Sequence, residues 1–419
     1  MEPRNRTLFG VKSQKTLLPR LRIPLIVCGL VVLVAFVGFF APSSPAEHIE
    51  PAAMTTPVVI EPASTSSPVV PTVKPPPPHI PAAIPSESGA VGLSVAETLT
   101  GLSASELSKQ LDDMVALNIE WIRLDFDWAV IQRGGPDSYD WSRFDRVVAA
   151  ANKRNLKLLP ILAYTPRWAR SENCSVRCPP TDPATFAHFA AVAAQRYAPQ
   201  GIHTWEIWNE PNAAGFWRPS ADPVLYAALL KAAYLNIKKV DPDAQIISGG
   251  LAIVATRNGS IAPREYLAAL YKEGAGGYFN AAGFHPYSFP VTASYRASWN
   301  AWQQMNNTSP SLRDIMIANG DRDKKIWITE YGAPTGGPGA VSAAYNPKET
   351  TDHVTEERQK EILIDAVADA AKHDWLGPFF WYSYKDIGES QSSTENFYGL
   401  LRADGSHKPA YDALFNRGK

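Results

Sequence analysis

The sequence predicts an α/β chain of the (β/α)8 TIM-barrel class over residues 88–419, and three observations predict it. Strand-like apolar runs alternate with helix-like stretches eight times across the segment. No glycine-rich phosphate fingerprint follows the first run, which weakens the alternative of an open doubly wound sheet. Two of the runs also end in a glutamate just before turn formers, in Trp205-Glu206-Ile207-Trp208-Asn209-Glu210-Pro211-Asn212 and Ile328-Thr329-Glu330-Tyr331-Gly332. Parallel barrels gather their reacting side chains at such strand ends.

Taken in order, strands are expected at 91–95, 119–127, 156–163, 202–209, 245–249, 281–285, 325–330 and 378–382. Helical spacing marks 104–117 after the first strand, 141–154 after the second and 356–372 before the eighth. In the last of these, Ile362, Leu363, Ala366, Val367 and Ala370 recur on one face. The second strand alternates cleanly, so Arg123, Asp125 and Asp127 share one face while Ile122, Leu124 and Phe126 point to the helices. Glu206 and Glu210 share parity on the fourth strand, as do His285 and Tyr287 at the sixth. Each has a bland reading alone: Arg123 and Glu206 as an internal ion pair, His285 as a structural histidine. Convergence at strand ends favours a charged pocket.

Residues 1–22 carry a basic cluster, Arg4, Arg6, Lys12, Lys15, Arg20 and Arg22, ahead of an uncharged run at 23–41. That run approaches the roughly 20 residues needed to cross a bilayer, and the basic side should stay cytoplasmic. It therefore reads as a transmembrane anchor with the rest of the chain extracytoplasmic; a cleaved secretory signal, with Ser44-Pro45-Ala46 as its site, is the alternative. Residues 42–87 are rich in Pro, Ser and Thr, with four consecutive prolines at 75–78, and are expected to be a disordered linker. Outside the apolar run, Cys174 and Cys178 are the only cysteines, and their spacing suggests a small disulfide loop after the third strand. Zinc would need two further ligands, and no matching Cys or His pair supplies them.

Net charge of −1 gives no reason to expect a nucleic-acid partner. The 12 Trp, 16 Tyr and 16 Phe suit sugar stacking as well as core packing. Trp168, Trp217, Tyr382 and Tyr384 follow or terminate strands and are candidates for stacking. Two carboxylates facing one another at strand ends are the equipment for breaking a glycosidic bond.

An ordered set of residues carries a family resemblance: Arg123, Asn209-Glu210-Pro211, His285-Pro286-Tyr287, Glu330 and Trp381, on successive strands. In these the chain resembles the clan A glycoside hydrolases, and within them family 39, which includes β-xylosidases and exopolysaccharide-cleaving enzymes. The resemblance implies a retaining O-glycoside hydrolase with Glu210 as acid/base and Glu330 as nucleophile. By the same likeness Asn209 would bind the sugar 2-hydroxyl, Trp381 would floor the reacting subsite, and Arg123, His285 and Tyr287 would orient the nucleophile. No metal or organic cofactor is called for. With an extracytoplasmic placement, the expected partner is a cell-envelope or extracellular polysaccharide. A transglycosylase on the same polysaccharide, or a non-catalytic tethered carbohydrate-binding protein, are the alternatives.

Overall fold

The computed structural model describes residues 89–417. The expected anchor or signal at 23–41 and the linker at 42–87 lie outside the described residues. Among the described residues, no helix is long and apolar enough to cross a membrane.

Eight parallel strands close into a barrel: β1 (Val91–Ser94), β2 (Trp121–Asp127), β3 (Lys157–Ala163), β4 (Thr204–Ile207), β5 (Gln245–Ala252), β6 (Ala281–His285), β7 (Lys325–Tyr331) and β10 (Leu376–Tyr382). The short strands β8 (Val341–Ser342) and β9 (His353–Val354) pair with each other in the loop after β7. Longer helices α2 (Ala104–Ala116), α4 (Ser142–Asn152), α5 (Pro183–Tyr197), α6 (Pro223–Val240), α7 (Pro263–Lys272), α8 (Leu312–Ala318), α9 (Glu356–Ala370) and α10 (Pro409–Phe415) connect or follow the strands; α1 (Thr98–Gly101) and α3 (Trp128–Ile131) are single turns. The expected barrel is present, with boundaries shifted by a few residues.

Local chemistry accounts for the helix starts. Ser103 and Glu106 form a capping box on α2, and Asp182 and Asp222 cap α5 and α6 ahead of Pro183 and Pro223. The alternation read in β2 holds: Ile122, Leu124 and Phe126 pack in the large core between strands and helices. Inside the barrel, Leu159, Ile247, Ala281 and Phe380 pack with Trp121 and Trp327 into a separate apolar plug. The indoles of Trp121 and Trp327 meet edge to face at 5.5 Å. Carboxyl-terminal to that plug along β2 lie Arg123 and Asp125.

The fourth strand ends earlier than expected, at Ile207 rather than Asn209. Trp208 and Glu210 take left-handed backbone conformations, with φ of 69° and 47°. Such angles are uncommon for residues with a Cβ and cluster at functional sites. The turn is secured by the Trp208 amide donating to the Leu162 carbonyl at 3.0 Å and the Glu210 amide donating to the Gly250 carbonyl at 3.1 Å.

Candidate active site at the carboxyl ends of the strands

Arg123 organises the site. It is 1% exposed, and its closest hydrogen bonds go to four residues, with His285 Nε2 a longer contact at 3.5 Å from Nη2. Nε donates to Glu206 at 2.6 Å and Nη2 to the other Glu206 oxygen at 3.0 Å. Nη2 also reaches Asn209 Oδ1 at 2.7 Å, while Nη1 donates to Ser94 Oγ at 3.0 Å and to Glu330 Oε1 at 2.5 Å. Burial opposes the charge of this guanidinium, but the adjacent Glu206 and Glu330 carboxylates outweigh it and hold Arg123 cationic.

Glu330, near the end of β7, accepts a second hydrogen bond from the Tyr287 hydroxyl at 2.8 Å. Burial would raise its pKa, yet the charges of His285 and Arg123 and the bonds from Tyr287 and Arg123 more than offset this. The net direction is down, so Glu330 is held ionised. Tyr287 is pushed the other way, by burial and by the Glu330 charge, and so remains a protonated donor.

Glu210 faces the same space. One oxygen of Glu210, one of Glu330 and a nitrogen of His285 lie within 4.8 Å of one another. Two carboxylates and an imidazole at that spacing could converge on a cation, but the Arg123 guanidinium already faces Glu330 with positive charge. His285, fully buried, sets its Nδ1 2.9 Å from Glu210 and 3.7 Å from Glu330. Gly250 makes room for this ring: a Cβ there would sit 2.1 Å from His285 Nε2. The Gly250 amide also donates to Glu206 at 2.9 Å, so one glycine braces both Glu206 and the Glu210 turn.

Six expected site residues are therefore brought together: Arg123, Asn209, Glu210, His285, Tyr287 and Glu330. Asn209 Oδ1 is taken by Arg123, which leaves its amide NH2 as the group available to a ligand. Cys174 and Cys178 are joined in a disulfide, with Cα atoms 6.1 Å apart.

Four expectations need correction. His285 contacts Glu210 more closely than the Glu330 it was expected to orient. Trp381 does not floor a subsite: it is fully buried in the strand–helix core and packs edge to face on Tyr331 at 6.1 Å. Its neighbour Tyr382, in register with Ser94, is the aromatic of β10 on which the Glu395 and Glu330 charges act. Trp217 and Tyr384 are core residues, the latter with its hydroxyl on Asp113. Trp168 keeps a half-buried ring in the wall of a separate cavity, its indole N–H donating to the Gln132 carbonyl at 2.7 Å.

Sequence reasoning missed Glu395, which lies on a short turn (Thr394–Phe397) beyond β10. Burial, then the charges of Glu330 and Glu210, push its carboxyl up to about 7. Asp125 is likewise raised, by burial and then by Glu97, with Arg123 opposing. Asp127 is raised to about 6, by burial against backbone amides that favour its ionised form.

A sequence model described as cellulase (glycosyl hydrolase family 5) matches residues 91–382. A curated β-xylosidase from Geobacillus stearothermophilus is 29% identical over 131 residues, which cover 27% of this chain and 25% of the xylosidase. A family 39 glycoside hydrolase from Bacteroides cellulosilyticus WH2 superposes with a TM-score of 0.59 at 22% identity, covering 81% of this chain and 65% of that one. A family 39 enzyme from Xanthomonas axonopodis pv. citri gives 0.58 at 19%, covering 80% and 67%. A family 39 β-xylosidase from Caulobacter crescentus gives 0.54 at 17%, covering 80% and 72%. The likeness to family 39 is thus one of fold, whereas the matching sequence model is that of family 5. The chain belongs to the cellulase (glycosyl hydrolase family 5) family, among the clan A glycoside hydrolases that its strand-end motifs resemble.

Proposed function

We propose that this chain is a retaining glycoside hydrolase that cleaves O-glycosidic bonds of a cell-envelope or extracellular polysaccharide by double displacement. The observation that carries the reading is the approach of the Glu210 and Glu330 oxygens to within 4.8 Å. Retaining enzymes hold their two carboxyls about 5–5.5 Å apart, whereas inverting ones leave roughly 6.5–9.5 Å for a water. The surroundings divide the labour. Glu330, bonded by Arg123 and Tyr287 and held ionised, is the nucleophile that attacks the anomeric carbon. Glu210, whose side chain bonds His285 rather than a guanidinium, is the acid that protonates the departing oxygen. The C–O bond to the leaving group breaks as the Glu330 ester forms. Glu210 then takes a proton from water, which attacks the same carbon and releases the sugar with its original configuration. The NH2 of Asn209 is placed to bind a hydroxyl of the sugar at the reaction centre.

An extracytoplasmic location is supported by the basic segment and apolar run at 1–41 and by the Cys174–Cys178 disulfide. The apolar run serves as a membrane anchor in this reading, and the linker at 42–87 spaces the barrel from the bilayer. The β-xylosidase relative, matched over a quarter of its length, supports a β-linked glycoside as the bond cleaved.

The test is to incubate the protein and its Glu330→Gln variant with purified envelope polysaccharides. New reducing ends, product sizes and the anomer first formed are followed. Cleavage with retained configuration, abolished in the variant, is the expected result. Inverted product would overturn the double displacement. Size redistribution without new reducing ends would favour transglycosylation, and tight binding without turnover a tethered binding protein.

A further inference from the structure

A cavity rich in positive charge lies among the loops that follow β2 and β3, separate from the Glu210–Glu330 pair. It has a volume of about 780 Å³ and is walled by the loop after β2 and the disulfide loop after β3. Arg133, Arg167, Arg170 and Trp168 line it, with Glu172 as its acidic member. A smaller adjoining cavity of about 260 Å³ shares the three arginines and adds Asp127. Arg133 and Arg167 are exposed, and neither makes an ion pair or a side-chain hydrogen bond among the described residues. Arg167 lies close enough to Arg170 that, after burial, its charge is what most lowers the Arg170 pKa. Asp127, Asp140 and Glu172 lie nearby, but the Arg133 and Arg167 guanidiniums are bonded directly to none of them, which suits a ligand that supplies the anion.

The walls are built rather than loose. Arg170 Nε donates to the Cys174 carbonyl at 2.7 Å, and another of its donors bonds the Thr165 carbonyl. The Thr165 hydroxyl donates to the Cys178 carbonyl at 2.6 Å and its amide to the Val176 carbonyl at 2.8 Å. The disulfide loop is thereby pinned to the end of β3 and aims Arg170. Trp168 is fixed by its bond to Gln132 and by edge contact with Trp128 at 5.7 Å. The pKa of Tyr164, which follows β3, is raised by burial first and then by the Asp125 charge, and the charges of Asp127, in the wall of the smaller cavity, and of Glu330 also reach it.

We propose that this cavity is a distal subsite for an anionic sugar unit of the polysaccharide, with Arg133, Arg167 and Arg170 holding its acidic substituent and Trp168 packing on its ring. The proposal rests on the glycoside hydrolase reading and narrows its substrate to an acidic glycan. A carboxylate and a sulfate or phosphate ester share this chemistry. Arginine forks bind either in bidentate fashion.

The test uses the full-length chain carrying Glu330→Gln, so that turnover does not intervene. It is titrated by affinity electrophoresis against three soluble glucans with one backbone: neutral hydroxyethyl cellulose, carboxymethylcellulose and cellulose sulfate. The anionic polymers should bind about tenfold tighter than the neutral one at low salt. Arg133→Ala with Arg167→Ala should remove that preference, and the paired lysine substitutions should retain part of it. Both positions are exposed and unpaired, so thermal melting should be unchanged. A preference for carboxymethylcellulose assigns a carboxylate, and one for cellulose sulfate an ester anion. Equal binding of neutral and anionic polymers, or a preference that survives the alanine pair, overturns the proposal. So does single-stranded DNA bound as tightly as the anionic glucans and weakened by the same changes, which would mark a general polyanion patch. Turnover of the wild type is scored separately. Its absence alongside an arginine-dependent anion preference would remove the hydrolase reading and leave the cavity as an anionic glycan site.

Discussion

Removing the hydroxyl of Tyr287 should shift the acid limb of the activity profile upward. The Tyr287 hydroxyl is one of two side-chain donors to Glu330, at 2.8 Å, the other being Arg123. A hydrogen bond to a charged group contributes about 1.5–3 kcal/mol. Each pKa unit corresponds to about 1.4 kcal/mol, so Tyr287→Phe should raise the pKa of Glu330 by about one to two units. The sign follows from the role. In the proposed role Glu330 reacts ionised, and its pKa is depressed in the folded protein, so activity should be lost as pH falls through that pKa. Weakening the anion brings the loss at higher pH. The ring contacts of Tyr287 with Tyr398 at 6.0 Å and Tyr331 at 6.5 Å survive in the phenylalanine variant, so the fold should not be the cause. The assay is kcat/KM for an aryl glycoside between pH 3 and 8, with thermal melting as control. An activity drop with an unmoved acid limb would refute the claim that Tyr287 acts by stabilising the Glu330 carboxylate.

Glu206→Gln keeps an acceptor for Arg123 while removing a competing charge, so Arg123 should pull harder on Glu330; the acid limb should move to lower pH, opposite to Tyr287→Phe. For Glu395, whose carboxyl is raised from 4.5 to about 7, the stability linked to its proton is present below pH 4.5 and lost by pH 7. Glu395→Gln should therefore match the wild type in acid and exceed it above neutrality by on the order of 1–3 kcal/mol, read from urea unfolding across that window. Trp381→Ala should cost about 3–5 kcal/mol of stability because a filled core position is emptied. Tyr382→Ala should instead act mainly on KM and kcat, and an equal stability loss in both variants would contradict their assignment to opposite faces of β10. Reducing the Cys174–Cys178 bond, which closes a very short loop, should cost about 2 kcal/mol in a thermal melt with and without reductant.

The legible parts of this chain are those where polarity alternates with the pleat. In β2, polar Arg123 and Asp125 interleave with Ile122, Leu124 and Phe126, and the structure puts the apolar three in the strand–helix core as the pattern demands. In β10 the run Phe379-Phe380-Trp381-Tyr382 is aromatic throughout, so polarity says nothing about which ring faces inward. The register shifts against β7 on either side of Phe379 further hide it. Glu210 faces the site as its parity with Glu206 suggested, but β4 ends at Ile207 and the left-handed backbone at Trp208 and Glu210 lies beyond what a period-two count describes. Glu395 lies in a loop without periodicity, placed by tertiary contacts such as Lys408 donating to the Phe397 carbonyl at 3.1 Å and to Asp386 at 2.7 Å.

Arg123 also shows why the bland and functional readings of one residue need not compete. The internal ion pair with Glu206 exists, at 2.6 and 3.0 Å, and is fully buried. Such pairs contribute little net stability once desolvation is counted, so stability alone is a weak reason for this one. Its geometric consequence is larger. Glu206 engages Nε and Nη2, and Asn209 adds a second acceptor on Nη2, which fixes the plane of the guanidinium. Nη1 is then left to Ser94 and Glu330. A lysine here would keep the charge but lose the fork, so it could not hold Glu206, Asn209 and Glu330 in one plane. The structural pair is the device that aims the cation at Glu330, the proposed nucleophile.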